Sequence, residues 1–254
     1  MLVRSRVKYI QSLAHKKFRD EEGVFVAEGP KLVAELLASG NTQAVEIFAV
    51  KEWIEGSSRM LARGTRERSA AGSAVVHEVK DPELERISSL STPNQVVALF
   101  RKPSFALPAF DRSTTLVLDG IQDPGNLGTI IRIADWFGIP QVLCSPDSAD
   151  VFNSKATQST MGSICRVQVL YDEPASLIGR FPGQPSYAAV LEGKSIYGME
   201  RIRGGFIVIG NESHGIRKEL MDRVAHPITI PRIGGAESLN AAVATGIILS
   251  HLVG

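Results

Sequence analysis

The chain has 254 residues, 44% of them apolar and 22% charged, and 28 lysines and arginines against 27 acidic residues leave a formal net charge of +1. That length supports a sizeable core or two modest domains of ordinary globular composition. The near-neutral balance excludes a chain-wide attraction to nucleic acid, which has to come from local patches, and no apolar run reaches the roughly 18 residues that mark a membrane-spanning helix.

Residues 3–19 read as one helix carrying Arg4, Arg6, Lys8, Lys16, Lys17 and Arg19, with no acid before Asp20. A face so one-sided suits either plain solvation or a phosphate-bearing partner. Gly23 ends the helix and Val24–Glu28 is a strand. Pro30 opens the next helix, at the position where its missing N–H costs nothing, and Leu32, Val33, Leu36 and Leu37 form that helix's buried face. Gly40 and Asn41 stop it. Val45–Val50 reads as a strand and 51–63 as a helix, followed by a strand at Val75–Val79. Asp81 and Pro82 cap a short helix to about Ser89, and Gln95–Phe100 closes the set. Strand and helix alternate, so residues 1–102 form a small α/β domain. Residues 103–112, with Pro103, Pro108 and no period, read as a linker before a second domain over 113–254.

The second half places strands at 115–118, 141–144, 165–169, 187–191, 206–209 and 228–230, and helices at 126–137, 153–161, 174–181, 216–224 and 237–251. Phe206-Ile-Val-Ile209 is apolar throughout, as a parallel strand covered on both faces must be. Cys144 and Cys165 lack metal-ligand spacing, sit in strand-like contexts and read as core thiols in a reducing compartment. The N-terminus is charged with no apolar segment behind it, so no signal peptide is expected and the chain reads as cytoplasmic.

Three stretches concentrate polar groups where strands end. In the first, a strand closes at Asp119, Asp123-Pro-Gly-Asn126 turns the chain, and Asn126 is suited to cap a helix. That helix buries Ile130, Ile131, Ala134 and Phe137 and carries Arg132 off the stripe; ligand crevices of α/β sheets lie at such carboxyl ends. In the second, Phe206–Ile209 runs into Gly210-Asn211-Glu212, where a glycine suits close approach of a flat ligand. In the third, Ile228-Thr-Ile230 is stopped by Pro231. Glu237 and Ser238 then open an apolar helix, with Asn240 in its first turn and Leu239, Val243, Ile247 and Leu249 suited to burial. No dinucleotide fingerprint, phosphate loop or nucleophile elbow is present. His214 has no companion at zinc-site spacing, so no metal is expected.

Taken together, Asn126-x-Gly128-x-x-x-Arg132, Gly210-Asn211-Glu212, and Ile230-Pro231 followed by Glu237-Ser-Leu-Asn240 resemble the three signature motifs of the SpoU/TrmH family of SPOUT RNA ribose 2′-O-methyltransferases. The resemblance covers roughly 113–254, with Arg232 and Ala236 at positions where members vary. Gln11-Ser-Leu-Ala-His-Lys-Lys17 and Phe25-Val-Ala-Glu-Gly29 are similar to the RNA substrate-binding domain of rRNA-modifying members. The resemblance implies a C-terminal α/β domain with a mostly parallel sheet and a deep trefoil knot, preceded by a small α/β/α RNA-binding domain. It implies S-adenosylmethionine held by Val190, Leu191, Glu192, Gly210, Asn211, Ile230 and Leu239, and chemistry served by Arg132, Asn126, Glu212, Ser238 and Asn240. It further implies a homodimer in which Arg132 completes the partner's site, as a general base or, because a guanidinium stays protonated, as a phosphate clamp. Arg4, Arg6, Lys16, Lys17 and Arg19 are the candidate RNA contacts. The implied activity is ribose methylation of rRNA; a tRNA enzyme of the same chemistry and an inactive RNA-binding relative are the alternatives.

Overall fold

The computed structural model describes residues 2–61 and 74–253. The chain divides into two compact units: Met1–Phe105 with Phe152–Cys165, and Ala106–Val151 with Arg166–Gly254. The break at 105/106 falls within the linker read from sequence. The return of 152–165 to the first unit does not follow from that reading, which gave its helix to the second half.

In the first unit, β1 (Val24–Glu28), β2 (Ala44–Ala49), β3 (Val75–Glu78) and β4 (Val96–Arg101) form a sheet of order β1-β4-β2-β3. Strand β4 runs antiparallel to both neighbours, and β2 pairs β3 in parallel. The centre of the sheet is β4, whose first five residues, Val96-Val-Ala-Leu-Phe100, are all buried. Helix α3 (Pro30–Ala38) buries Leu32, Val33 and Leu36. Helix α4 starts as Lys51–Gly56, and residues 62 and 63 of the helix expected there lie outside the described set. Helix α5 (Asp81–Glu85) is shorter than the run to Ser89.

The single helix expected over 3–19 is two helices, α1 (Arg4–Ser12) and α2 (Lys16–Glu22). The break places Leu13 in the core at 1% exposure. The Leu13 and Ala14 carbonyls that leave the helical ladder accept from Arg19 Nη1 at 2.7 Å each. Arg19 is therefore buried, at 3% exposure, and is corrected from a phosphate contact to an internal clamp. Arg6 is engaged by Glu46, with Nε donating to Oε2 at 3.0 Å, whereas Arg4, Lys8, Lys16 and Lys17 remain exposed. His77 stacks on Phe48 with ring centroids 4.7 Å apart and lies 3.2 Å from the Glu46 carboxylate. Partial burial, then the neighbouring Arg6 charge, hold its pKa below the ordinary histidine value.

In the second unit, β5 (Thr114–Asp119), β6 (Gln141–Cys144), β7 (Gln168–Tyr171), β8 (Ser186–Ser195), β9 (Gly205–Gly210) and β10 (His226–Thr229) form one sheet of order β10-β8-β9-β5-β6-β7. Every pairing in it is parallel. Helices α6 (Pro124–Trp136), α8 (Pro174–Gly179), α9 (Lys218–Met221) and α10 (Ala241–Leu252) accompany it; α7 (Ser154–Thr160) packs on β1 in the first unit. Val117, Leu143, Leu177, Phe206, Val208 and Leu220 share one core cluster, as the apolar strands require. Cys165 ends a short 3-10 turn, not a strand, and both thiols are buried. Strand β10 pairs only with β8 at the sheet's edge, so Pro227 removes no ladder hydrogen bond on its open side. A Cβ on Gly193 would lie 2.8 Å from the Pro227 carbonyl carbon, so this crossing of β8 and β10 requires glycine.

Among the described residues, no helix is long and apolar enough to cross a membrane, and no cluster of three or more His, Cys, Asp or Glu could hold a metal.

Candidate active site

Strands β5, β8, β9 and β10 of the second unit end on one side because they are parallel. There the chain encloses a cavity of about 670 Å³. Four segments line it: 189–191 of β8, 209–216 from the end of β9 onward, residues from 228 to 241 from the end of β10 onward, and Ala244 and Ile248 of α10. The walls are mostly apolar, with Ile209, Ile216, Ile228, Ile230 and Ile248 among them, and polar groups come from Asn211, Glu212, Ser213, His214, Glu237 and Ser238.

The 210–217 loop is internally tied. Asn211 and Gly215 exchange backbone hydrogen bonds at 3.0 and 2.9 Å, and Asn211 Oδ1 accepts from the Ser213 and His214 N–H groups at 2.8 and 3.2 Å. A Cβ on Gly210 would lie 2.4 Å from the Gly215 carbonyl carbon. The glycine expected to admit a ligand is thus required by the chain's own turn.

Two anchors fasten this loop to the end of β5. Asn211 Nδ2 donates to the Gly120 carbonyl at 2.7 Å. Asp119, 1% exposed, accepts from Arg217 N at 2.7 Å and Nε at 2.6 Å, with Nη2 also in contact. The Asp119 carboxylate raises the Arg217 pKa. Ser145 Oγ donates to Asp147 at 2.7 Å and lowers that carboxyl's pKa, helped by Arg217 Nη2 at 3.3 Å. Asp119 and Arg217 were not among the residues singled out from sequence; the available signal was an acid closing an apolar strand.

A third connection runs through the motif residues. Asp123, not Asn126, caps α6, its carboxylate accepting from the Asn126 N–H at 2.8 Å. That frees the Asn126 side chain, whose Nδ2 donates to Glu212 Oε1 at 2.5 Å while its Oδ1 accepts from Asn240 Nδ2 at 3.0 Å. Asn240 is itself the cap of α10, accepting from Ala242 N at 3.0 Å and Val243 N at 3.2 Å. The terminal helix begins at Ala241, later than the expected 237, because Glu237 and Ser238 belong to the cavity wall.

Val190, Leu191, Gly210, Asn211, Ile230, Leu239, Glu212 and Ser238 all line the cavity. Glu192 is exposed and is not part of the lining. Residues 190–192 belong to β8, in the stretch where its register with β10 shifts. Asn126 and Asn240 lie outside the lining and bear on it through Glu212. Arg232 donates to the Ala236 carbonyl at 3.1 Å, joining the two variable positions of the third motif. Arg132 is exposed and does not line this chain's cavity. Its surroundings on the surface include Trp136, 85% exposed, one turn along α6. Leu239 and Val243, expected to be buried, are also exposed, while α10 buries Ala242, Thr245, Ile248 and Leu249.

The sequence profile of the SpoU rRNA methylase family matches residues 113–250. The chain belongs to this family. A second profile, for an MRM3-like substrate binding domain, matches residues 4–98. The 23S rRNA (guanosine(2553)-2′-O)-methyltransferase RlmP of Bacillus subtilis is 30% identical over 253 residues, covering 98% of this chain and 96% of that protein. Among solved structures, a putative TrmH-family RNA methyltransferase from Porphyromonas gingivalis is 35% identical with a TM-score of 0.83, covering 99% of this chain and 98% of that one. An AdoMet-bound rRNA methyltransferase from Sinorhizobium meliloti is 30% identical with a TM-score of 0.84, covering 99% and 95%. The α/β architecture with its parallel sheet is thus the one the motifs implied.

Proposed function

We propose that this SpoU-family member transfers a methyl group from S-adenosylmethionine to a ribose 2′-hydroxyl of rRNA. The observation that carries this reading is the convergence of the three motif segments on one cavity at the carboxyl ends of parallel strands. That cavity, about 670 Å³ with mostly apolar walls and a few polar groups, suits a cofactor of this size and mixed character. Val190, Leu191, Gly210, Asn211, Ile230 and Leu239 would hold it, with Glu192 at the margin. The cofactor supplies an already activated methyl group, so the chain's own task is to align the ribose hydroxyl and stabilise charge developing on its oxygen.

Arg132 serves that task as a permanent cation that grips an adjacent phosphate and favours the hydroxyl's ionised form. Its exposure outside its own chain's cavity, one turn from the exposed Trp136, supports a homodimer in which Arg132 serves the partner's site. The Asn240–Asn126–Glu212 connection holds the three motifs in register, and Ser238 contributes a hydroxyl to the cavity wall. The chain takes the knotted path of its family around this site and works in the cytoplasm, where buried thiols such as its two stay reduced. The front unit, matched by a substrate-binding profile, favours rRNA over tRNA.

The test is transfer of labelled methyl from S-adenosylmethionine to rRNA and tRNA taken from cells lacking the protein, followed by mapping of the modified ribose. Label on a ribose 2′-oxygen of rRNA is expected; label on a base, or on no RNA despite cofactor binding, would overturn the reading.

A further inference from the structure

The walls of the large cavity are mostly apolar, so its few charged groups decide which polar ligand atoms it can hold. Among the described residues, the only lysine or arginine of the lining is Arg232, and its carboxylates are those of Glu212 and Glu237. Glu212 already accepts from Asn126 Nδ2, and His214 Nδ1 lies 3.3 Å from Asn211 Oδ1. That leaves Arg232 and Glu237, both exposed to water in the segment that follows β10.

A turn of the chain brings these two residues together. Arg232 Nη1 donates to the Ala236 carbonyl at 3.1 Å, and that carbonyl belongs to the peptide joining Ala236 to Glu237. A single bond of this kind leaves most of the guanidinium's donors unused. Among the described residues neither side chain has an ion-pair partner, and the two do not pair with each other. A cation and a carboxylate on one turn disfavour ligand groups of a single sign, because a lone phosphate meets Glu237 and a lone amine meets Arg232. They suit a group that carries both signs on neighbouring atoms. S-adenosylmethionine ends in such a group, an ammonium and a carboxylate on one carbon, whereas its adenosine is uncharged.

We propose that Arg232 and Glu237 hold the amino-acid end of S-adenosylmethionine, Arg232 its carboxylate and Glu237 its ammonium, while the adenosine lies against the apolar walls. Fixing one end of a chain of single bonds limits the directions in which the sulfonium methyl can point. Arg232, at a position where family members vary, thereby becomes a positioning residue. The proposal rests on the reading of this cavity as the cofactor site and assigns the charged end of the cofactor to one segment of it.

The experiment titrates the full chain calorimetrically with S-adenosylmethionine, its decarboxylated analogue, and 5′-methylthioadenosine, which lacks the amino-acid end altogether. Wild type should bind S-adenosylmethionine about tenfold more tightly than the decarboxylated form, the low end for a charge-assisted contact because Arg232 is exposed to water. Arg232→Gln should remove that preference and leave methylthioadenosine affinity unchanged, whereas Arg232→Lys, which keeps the charge, should retain part of it. Glu237→Gln should weaken both amine-bearing ligands by about fivefold and again spare methylthioadenosine. The comparison of ligands on the wild type needs no variant, so a variant that failed to fold would leave the test in place. Equal wild-type affinity for S-adenosylmethionine and its decarboxylated form, or a preference that survives Arg232→Gln, would overturn the assignment and leave the cofactor reading standing. A loss in Arg232→Gln that falls equally on methylthioadenosine would overturn it too. Failure of all these ligands to bind the wild type would overturn the cofactor reading and the assignment with it.

Discussion

Asp119→Asn tests whether the 210–217 loop is held in a binding-competent shape by its buried anchor. The carboxylate accepts from three donors of Arg217, and hydrogen bonds to charged groups contribute about 1.5–3 kcal/mol each. Breaking a fully buried pair costs about 3–5 kcal/mol, but the Arg217 side chain is 46% exposed and can turn to water. Asparagine also keeps one acceptor oxygen, although its NH₂ then faces donors. A net loss of about 2 kcal/mol is therefore expected. Spread over the loop's order, this reduces the competent fraction and weakens apparent S-adenosylmethionine affinity by about thirtyfold. Isothermal titration gives the dissociation constant, and urea unfolding shows whether the loss is local or global. Wild-type affinity together with a wild-type urea midpoint would refute the anchoring argument.

Arg132→Ala should lower methyl transfer by about two orders of magnitude or more while cofactor affinity stays near wild type, as for a donor used mainly in the transition state; an equal loss of cofactor affinity in titrations would show the role misassigned. Gly210→Ala should cost the loop its turn, because the added Cβ would meet Gly215 backbone at 2.4 Å, and a variant that still binds S-adenosylmethionine normally would disprove that steric account. His77, whose pKa is lowered in the fold, binds its proton more readily when unfolded. Its contribution is intact above its unfolded pKa of about 6.5 and is lost as pH falls from there to the depressed folded value. Wild type should consequently lose more urea stability than His77→Gln between pH 7 and pH 5, and parallel curves would contradict this.

Local pattern was sufficient wherever a residue's fate depends on its sequence neighbours. The all-apolar Phe206–Ile209 could only be a covered strand, and it occupies the interior of the parallel sheet. Pro30 opened its helix, and the three motifs named the segments that line the large cavity. What the tertiary structure decided concerns partners distant in the chain. Asp119 and Arg217 are 98 residues apart, and Asn126 finds Glu212 across 86, so no periodicity relates them. Arg19 looks like its basic neighbours until the helix breaks at Leu13 and two carbonyls need a donor. Leu239 and Val243 match a buried stripe by spacing, yet Asn240 starts the helix later and turns a different face inward. Spacing along a strand or helix encodes which residues share a face. Which face is buried, and which polar group satisfies which, is set by energies of burial and hydrogen bonding that exist only once distant segments meet.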